Sequence, residues 1–412
     1  MAHRVVVTGI GCVSAVGHSL QALWTAAIEG RTGIKTISLF DAGQHHVQIA
    51  GDIPDWDGSQ YMDGKIAKRC DRFTQFAVAA ADQAVADAQL RITQDNAEDV
   101  GVLIGSGIGG MWTWETQHEI LLKRGPSRVS PFLVPMMIVD MASGMVSIQT
   151  GARGPNYAAV SACASSTHAL GASFEIIKRG AARAMISGGA EGAITPLSLA
   201  GFCSVKALAT RNETPETACR PFDKTRDGFV MAEGSTVIIL EELQFALARG
   251  AKIYGEILGY GASGDAYNPV APLPDGTGAA RAMRLALEEA GLAPQDIDLV
   301  NAHAPGTPDG DDMEARALQD VFGDDGSPPV YSTKPVHGHQ LGATGATELA
   351  LGLLSIEHGV IPRTLNCNDP EDWMTIDIVR GQVREKRVDT LMNNSFGFGG
   401  HNGVIIARRY EQ

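Results

Sequence analysis

Tyr157-Ala-Ala-Val-Ser-Ala-Cys-Ala-Ser-Ser166 runs from a strand pattern straight into a helix pattern. The apolar run Ala158–Val160 predicts a short buried strand, and Ser166–Arg179 has the spacing of a helix. Cys163 stands at the turn between them. A thiol there faces unsatisfied N–H groups and the positive end of a helix dipole, which favour thiolate. Its small neighbours Ala162, Ala164 and Ser165 leave room for a substrate. Taken alone, a cysteine in such a place also reads as a buried small hydrophobe.

Working outward, short β-branched runs alternate with longer helical stretches. Strands are predicted over Arg4–Thr8, Val100–Ile104, Ala184–Ser187, Thr236–Glu241, Lys252–Gly259, Leu299–Ala302 and Val404–Ala407. Helices are predicted over Leu20–Glu29, Asp71–Ala88, Pro135–Gln149, Gly278–Ala290, Asp312–Phe322 and Ala346–Glu357. In Asp71–Ala88 the residues Phe73, Phe76, Ala77, Ala80 and Val85 fall close to one stripe. Val/Ile-rich strands separated by helices indicate an α/β protein with buried, mixed or parallel sheets. A division near residue 250 gives residues 1–250, with Cys163, and residues 251–412, with His303, Lys334 and His339. These two halves are expected to pack together.

Composition narrows the function. The chain has 412 residues, 47 acidic and 33 basic side chains, and a formal net charge of −14. That balance opposes a general nucleic-acid binder, because phosphates reward a basic face. Glycine is in excess, 48 residues or about 12% against a usual ~7%. Cys12, Cys70, Cys163, Cys203, Cys219 and Cys367 form no CxxC pair, which disfavours a zinc site or a disulfide framework and predicts a reducing cytoplasm. No targeting segment is recognisable, and no apolar run approaches the ~18 residues of a membrane helix.

Three further segments carry polar chemistry. Asn301-Ala-His-Ala-Pro-Gly-Thr-Pro308 puts His303 at the end of a buried strand, before a Gly/Pro loop where α/β proteins bind ligands. Ser332-Thr-Lys-Pro-Val-His-Gly-His-Gln-Leu-Gly342 offers Lys334, His337 and His339 in a glycine-rich turn. Paired histidines permit a metal reading, but no third ligand stands at the required spacing. Asn393-Asn-Ser-Phe-Gly-Phe-Gly-Gly400 reads as a hinge-like glycine loop and lacks the Lys-Ser/Thr of a phosphate loop. Together the cysteine, two histidines and lysine make a nucleophile with bases and electrostatic helpers.

These blocks, in this order, resemble the β-ketoacyl-acyl carrier protein synthases of the KAS I/II type, the elongating condensing enzymes of the thiolase superfamily, with KAS II the nearer form. The likeness runs nearly end to end, through RVVVTGIGCVSAVG, GSGIGG, SPFLVP, GARGP, SACASS, SGGAEG, RPFDKTRDGFVMAEG, NAHAPGTPDGD, STK..HGH.LGATGA.E and NSFGFGGHN. It implies a five-layered αβαβα fold of two similar halves, working as a homodimer. By resemblance Cys163 is the nucleophile, His303 and His339 the paired histidines, and Lys334 the lysine beside them, with Glu314 near that lysine and Asp311 on the same loop. The backbone N–H groups of Cys163 and Phe398 form the oxyanion hole, and Phe398 is a gate. Ile108, Leu133, Phe202 and Phe398 line the acyl pocket, and Thr307 meets the pantetheine arm. Asn301 and Glu348 lie near a structural monovalent cation.

The activity implied is decarboxylative condensation of an acyl thioester on Cys163 with malonyl-acyl carrier protein in fatty acid elongation. It needs no cofactor and no catalytic metal. The partner is an acidic acyl carrier protein, docked on Lys65, Lys68, Arg69, Lys206 and Arg211. Neither nucleic acid nor membrane insertion is expected. The chain departs from the family block NAHGTSTP, for Ala304, Pro305 and Gly306 replace Gly, Thr and Ser. His337 stands where many relatives have threonine, and Trp112 and Trp114 are bulky additions after GSGIGG. The altered histidine loop and the tryptophan pair suit a second reading, a specialised ketosynthase of a type II polyketide or polyene pathway that could pair as a heterodimer. A non-catalytic chain-length partner subunit is a third, opposed by the presence of Cys163.

Overall fold

The computed structural model describes residues 2–323 and 326–411. Ten strands form one sheet: β1 Val5–Val13, β2 Val100–Gly105, β3 Asn156–Tyr157, β4 Ala184–Glu191, β5 Gly234–Glu242, β6 Gly255–Gly264, β7 Leu299–Asn301, β8 Val330–Tyr331, β9 Thr390–Gly397 and β10 His401–Arg408. Their order across the sheet is β8-β7-β9-β10-β6-β1-β5-β4-β2-β3. Cut between β6 and β1, the first five strands run 3-2-4-5-1, and the second five repeat that order. The directions repeat as well. β2 pairs parallel with β3 and β4, as β7 does with β8 and β9, and the remaining pairs within each half are antiparallel.

The helices used below are α1 Leu20–Glu29, α2 Arg72–Asp87, α3 Met111–Arg124, α4 Leu133–Met137, α5 Met141–Thr150, α6 Ser165–Lys178, α7 Pro196–Val205, α8 Thr277–Ala290, α9 Pro308–Phe322, α10 Lys334–His337 and α11 Thr344–His358. Phe73, Ala77, Val146, Val102 and Ile186 join α2 and α5 to the outer face of the first half. Met283, Leu318, Val300 and Val404 join α8 and α9 to the outer face of the second. Between the halves lie α6 and α11, whose Leu170, Phe174, Leu349 and Leu353 share one apolar cluster with Val5 and Leu391. The layers are therefore αβαβα. That is the five-layered α/β architecture of two similar halves implied by the resemblance.

The duplication reaches individual contacts. A Cβ at Gly11 of β1 would lie 2.0 Å from the Ala80 carbonyl oxygen of α2, and one at Gly261 of β6 would lie 2.0 Å from the Ala282 oxygen of α8. Only glycine lets strand and helix backbones approach this closely. The halves join where Val5, Val6 and Val7 pair antiparallel with Ile257, Glu256 and Gly255.

Several predicted elements shift. The strand expected at 158–160 lies instead at Asn156–Tyr157, where it pairs with Val102 and Leu103, and 158–160 lead into the cysteine turn. The helix expected over 135–149 is two, α4 and α5, because Ile138 is extended and the Gly110 N–H takes the Met137 carbonyl at 3.0 Å. α3 and α7 were not predicted. The segment read as a glycine loop, 393–400, is largely strand β9, leaving only Phe398, Gly399 and Gly400 as the turn into β10. No helix among the described residues is long and apolar enough to cross a membrane.

Candidate active site

Cys163 sits between β3 and α6 on a strained elbow, with Ala162 in the left-handed region at φ 50°. The Ser165 hydroxyl holds this turn, donating to the Ala162 carbonyl at 2.7 Å and accepting from Ser161 N–H at 2.9 Å. Such strain persists where the surroundings over-determine the conformation. Here it aims a buried thiol toward the second half of the molecule, whose loops supply the other groups.

His339, in the turn after α10, places Nε2 3.1 Å from Cys163 Sγ and Nδ1 3.0 Å from Thr344 Oγ1. His303 follows β7, and its ring stands edge-on to His339 with centroids 5.3 Å apart. One ligand-type atom from each of Cys163, His303 and His339 lies within 4.8 Å of the others. These atoms could meet a substrate oxygen or, by distance alone, a metal ion. His337, the other histidine of the pair, turns away to Thr333 Oγ1 at 3.0 Å. The paired-histidine metal reading of that segment therefore has no geometric basis.

Lys334 is fully buried and reaches neither the thiol nor an imidazole. Its Nζ binds the Glu348 carboxylate and the His303 carbonyl oxygen. Glu348 is thus the direct carboxylate partner of the lysine. Glu314 instead accepts the N–H groups of His303 and Ala304, at 2.9 and 2.6 Å, and so fixes the backbone beneath the ring. Asp311 accepts from Gly306 N–H at 3.0 Å and Phe222 N–H at 2.7 Å, which ties down the Pro305–Thr307 loop.

Burial dominates the electrostatics. It pushes the Cys163 thiol up to about 12; Lys334 opposes this, Glu191 adds to it, and the backbone N–H groups of Phe398 and Cys163 favour the thiolate. Burial, then the Lys334 cation, holds His303 and His339 well below the ordinary imidazole range. Both rings are therefore neutral near pH 7. His337 is lowered to about 3, again first by burial.

Two spaces meet at the sulfur. A cavity of about 190 Å³ is lined by Gly107, Ile108, Ala162, Cys163, Phe202, Phe229, Leu341 and Phe398. A cleft on the other side is lined by Cys163, His303, His339, Pro305, Thr307, Val270 and Phe398, among others. Ile108, Phe202 and Phe398 line the cavity, and Leu133 lies on α4, outside its lining residues. Thr307 faces the cleft and also caps α9 by accepting from Gly310 N–H at 3.2 Å. Trp112 packs edge-on to Phe40 and Trp114 stacks on His118, and neither lines the cavity. Sequence reasoning missed Phe229 and Leu341 as wall residues and Thr344 as the partner of His339, although all three lie in or beside blocks already singled out.

Lys65, Lys68, Arg69 and Lys206 are exposed, and Arg211 is half-buried with its guanidinium donating to the Thr225 carbonyl at 3.2 Å. Arg69 also lies over the Phe132 ring, 4.4 Å from its centroid. The oxygens Asn301 Oδ1, Glu348 Oε2, Asn393 Oδ1 and Asn394 Oδ1 are buried and have no hydrogen-bond partner among the described residues. Carboxylate and amide oxygens are the ligand types that a hard cation takes.

Residues 2–246 match the family described as beta-ketoacyl synthase, N-terminal domain, and residues 254–368 match beta-ketoacyl synthase, C-terminal domain. The chain is 49% identical over 409 residues to 3-oxoacyl-acyl-carrier-protein synthase 2 of Synechocystis sp., covering 99% of this chain and 98% of that relative. It is 46% identical to the protein of the same name from Staphylococcus aureus, covering 99% of each. Among solved structures, the ishigamide ketosynthase/chain length factor superposes with TM-score 0.93 at 33% identity over 100% of both chains. A beta-ketoacyl synthase from Burkholderia phymatum superposes with TM-score 0.93 at 31% identity, over 99% of this chain and 100% of that one. A thiol on a strained elbow, two neutral imidazoles and an apolar cavity thus occur within a full-length match, and the chain belongs to the beta-ketoacyl synthase family.

Proposed function

We propose that this protein is a 3-oxoacyl-acyl carrier protein synthase that extends an acyl chain held on Cys163 by two carbons. The observation that carries the reading is Cys163 Sγ lying 3.1 Å from His339 Nε2, between an apolar cavity and a cleft. Sγ attacks the carbonyl carbon of an acyl thioester, and the carrier thiol leaves with the proton. The backbone N–H groups of Cys163 and Phe398 receive the developing oxyanion, and the acyl chain enters the cavity past Ile108 and Phe202. Malonyl carrier then fills the cleft, with Thr307 beside its pantetheine arm.

Loss of carbon dioxide leaves an enolate whose oxygen needs donors. With the Thr344 hydroxyl donating to Nδ1, His339 carries its proton on Nε2, and His303 supplies the second N–H. The enolate carbon attacks the acyl carbonyl, the C–S bond breaks, and the 3-oxoacyl product leaves on its carrier. Lys334 holds the His303 carbonyl and adds to burial in keeping both rings neutral. A monovalent cation at Asn301 and Glu348 would support the same loop without entering the reaction.

An acidic carrier protein suits docking on Lys65, Lys68, Arg69, Lys206 and Arg211. A structural neighbour at 29% identity and TM-score 0.91 is titled as a type II PKS acyl-carrier protein in complex with its ketosynthase. Exposed Val134, Ile138, Ile148, Tyr157 and Val160 suit burial against a second subunit, in a homodimer. Free cysteines throughout suit a reducing cytoplasm. The second reading, a polyketide-type ketosynthase working with a chain-length partner, draws on the ishigamide neighbour and on Pro305 in the cleft wall. Incubation with acyl and malonyl carrier proteins of graded chain length tests both. A 3-oxoacyl product two carbons longer supports condensation, and its absence with every donor would overturn it.

A further inference from the structure

Glu191 closes β4 and is fully buried, yet it forms no ion pair among the described residues. Its carboxylate is held by four donors. Ser106 Oγ and Ile108 N–H donate to Oε1 at 2.9 and 3.2 Å, and Gly107 N–H and Gly342 N–H donate to Oε2 at 2.8 and 3.0 Å. A buried carboxylate without a cation is costly unless such bonds satisfy it. Burial raises the Glu191 carboxyl above its ordinary range, and the bonds from Gly107, Gly342, Ser106 and Ile108 oppose that rise.

The donors explain its presence. Gly107 and Ile108 belong to the loop after β2, and Gly342 belongs to the turn between α10 and α11. Ile108 and Leu341 are walls of the acyl cavity, and Leu341 holds a left-handed φ of 47° beside the bonded Gly342. A Cβ at Gly342 would lie 2.3 Å from Gly107 N, so the two backbones are in direct contact beneath the carboxylate. Glu191 itself does not line the cavity.

We propose that Glu191 is a positioning residue that sets the bore of the acyl cavity by tying the Ser106–Ile108 loop to the Leu341–Gly342 turn. The inference rests on the ketosynthase reading of that cavity. Its consequence is selective, because an acetyl group barely passes Cys163 whereas a long acyl chain must thread between Ile108 and Leu341.

The test compares native protein, Glu191→Gln and Ser106→Ala for acyl transfer to Cys163 from acetyl, octanoyl and hexadecanoyl carrier protein, followed by mass spectrometry of the acyl-enzyme. In Glu191→Gln an amide nitrogen replaces an acceptor facing backbone N–H groups. Its kcat/KM for the longest donor that the native protein accepts is expected to fall about tenfold relative to acetyl. Ser106→Ala, which removes one donor to Glu191 and the acceptor of the Gly109 N–H but no charge, shifts preference the same way by less. An unchanged preference, or an equal loss for every donor, overturns the proposal. If Glu191→Gln does not fold, Ser106→Ala decides by the same criterion. Hydrogen exchange over 105–110 and 340–343 needs no turnover, and faster exchange confined to both segments in the variants is expected. If the native protein takes no acyl group, the ketosynthase reading fails separately, and unchanged exchange in both segments still overturns the tie.

Discussion

His339 Nε2 and Cys163 Sγ lie 3.1 Å apart although 176 residues separate them in the chain. The imidazole faces the thiol as a neutral ring, because burial and the Lys334 cation both disfavour its protonation. A neutral donor can serve an enolate oxygen without first passing a proton to or from solvent.

Removing the sulfur separates the two half-reactions. In Cys163→Ala, condensation is expected to fall by about a thousandfold or more, while decarboxylation of malonyl carrier persists because His303 and His339 remain. Carbon dioxide release and 3-oxoacyl product, measured on the same samples, check this. Condensation that survived would show that Cys163 does not hold the acyl group.

The thiol reports its own ionisation. Its value is raised to about 12, so near neutrality the sulfur is protonated and the thiolate fraction grows about tenfold per pH unit. Iodoacetamide modification of Cys163, followed by peptide mass spectrometry, is expected to climb from pH 6 to 9 without a plateau. A plateau near pH 7 would instead indicate a thiolate paired with imidazolium.

His337 should make the fold sensitive to acid. Lowered to about 3 by burial and Lys334, it stays neutral in the fold while the unfolded chain takes a proton below about pH 6.5. Its linkage contribution is nil above that pH and increasingly unfavourable below it, reaching about 2 kcal/mol at pH 5. His337→Thr is expected to lose less stability between pH 7.5 and 5 than the native chain does, as measured by denaturant unfolding at each pH. Parallel losses would show that His337 does not contribute.

Carrier docking is an electrostatic prediction. Lys68→Glu with Arg69→Glu is expected to raise KM for acyl carrier protein by about three- to tenfold with kcat little changed, and added salt should narrow the gap from native. An unchanged KM at low salt would place the docking surface elsewhere.

Much of the site was legible in short segments, because elbow, histidine loop and lysine turn each carry their chemistry within about ten residues. The strand β9 was not. Asn393 and Asn394 look like loop residues, but their amides are buried, donating to the Gly345 carbonyl and to Glu314 at 3.1 and 3.0 Å. Polar residues satisfied in this way are invisible to a reading based on apolar alternation. The pairing of Lys334 with Glu348 was hidden for a similar reason, since only the turn into α11 brings the two together.

By itself the sequence determined an α/β protein, the thiol at a strand–helix turn, the neighbouring histidines and the resemblance that links them. These are local properties, set by residue type and spacing. Tertiary structure decided the repeated 3-2-4-5-1 strand order, the equivalence of Gly11 and Gly261 against their helices, and the meeting of Cys163 with His339. It also turned Glu191 from one letter of SGGAEG into the bond between two cavity walls. Such relationships depend on backbone approaches between segments far apart in the chain, which only the packing of two sheet halves around α6 and α11 creates.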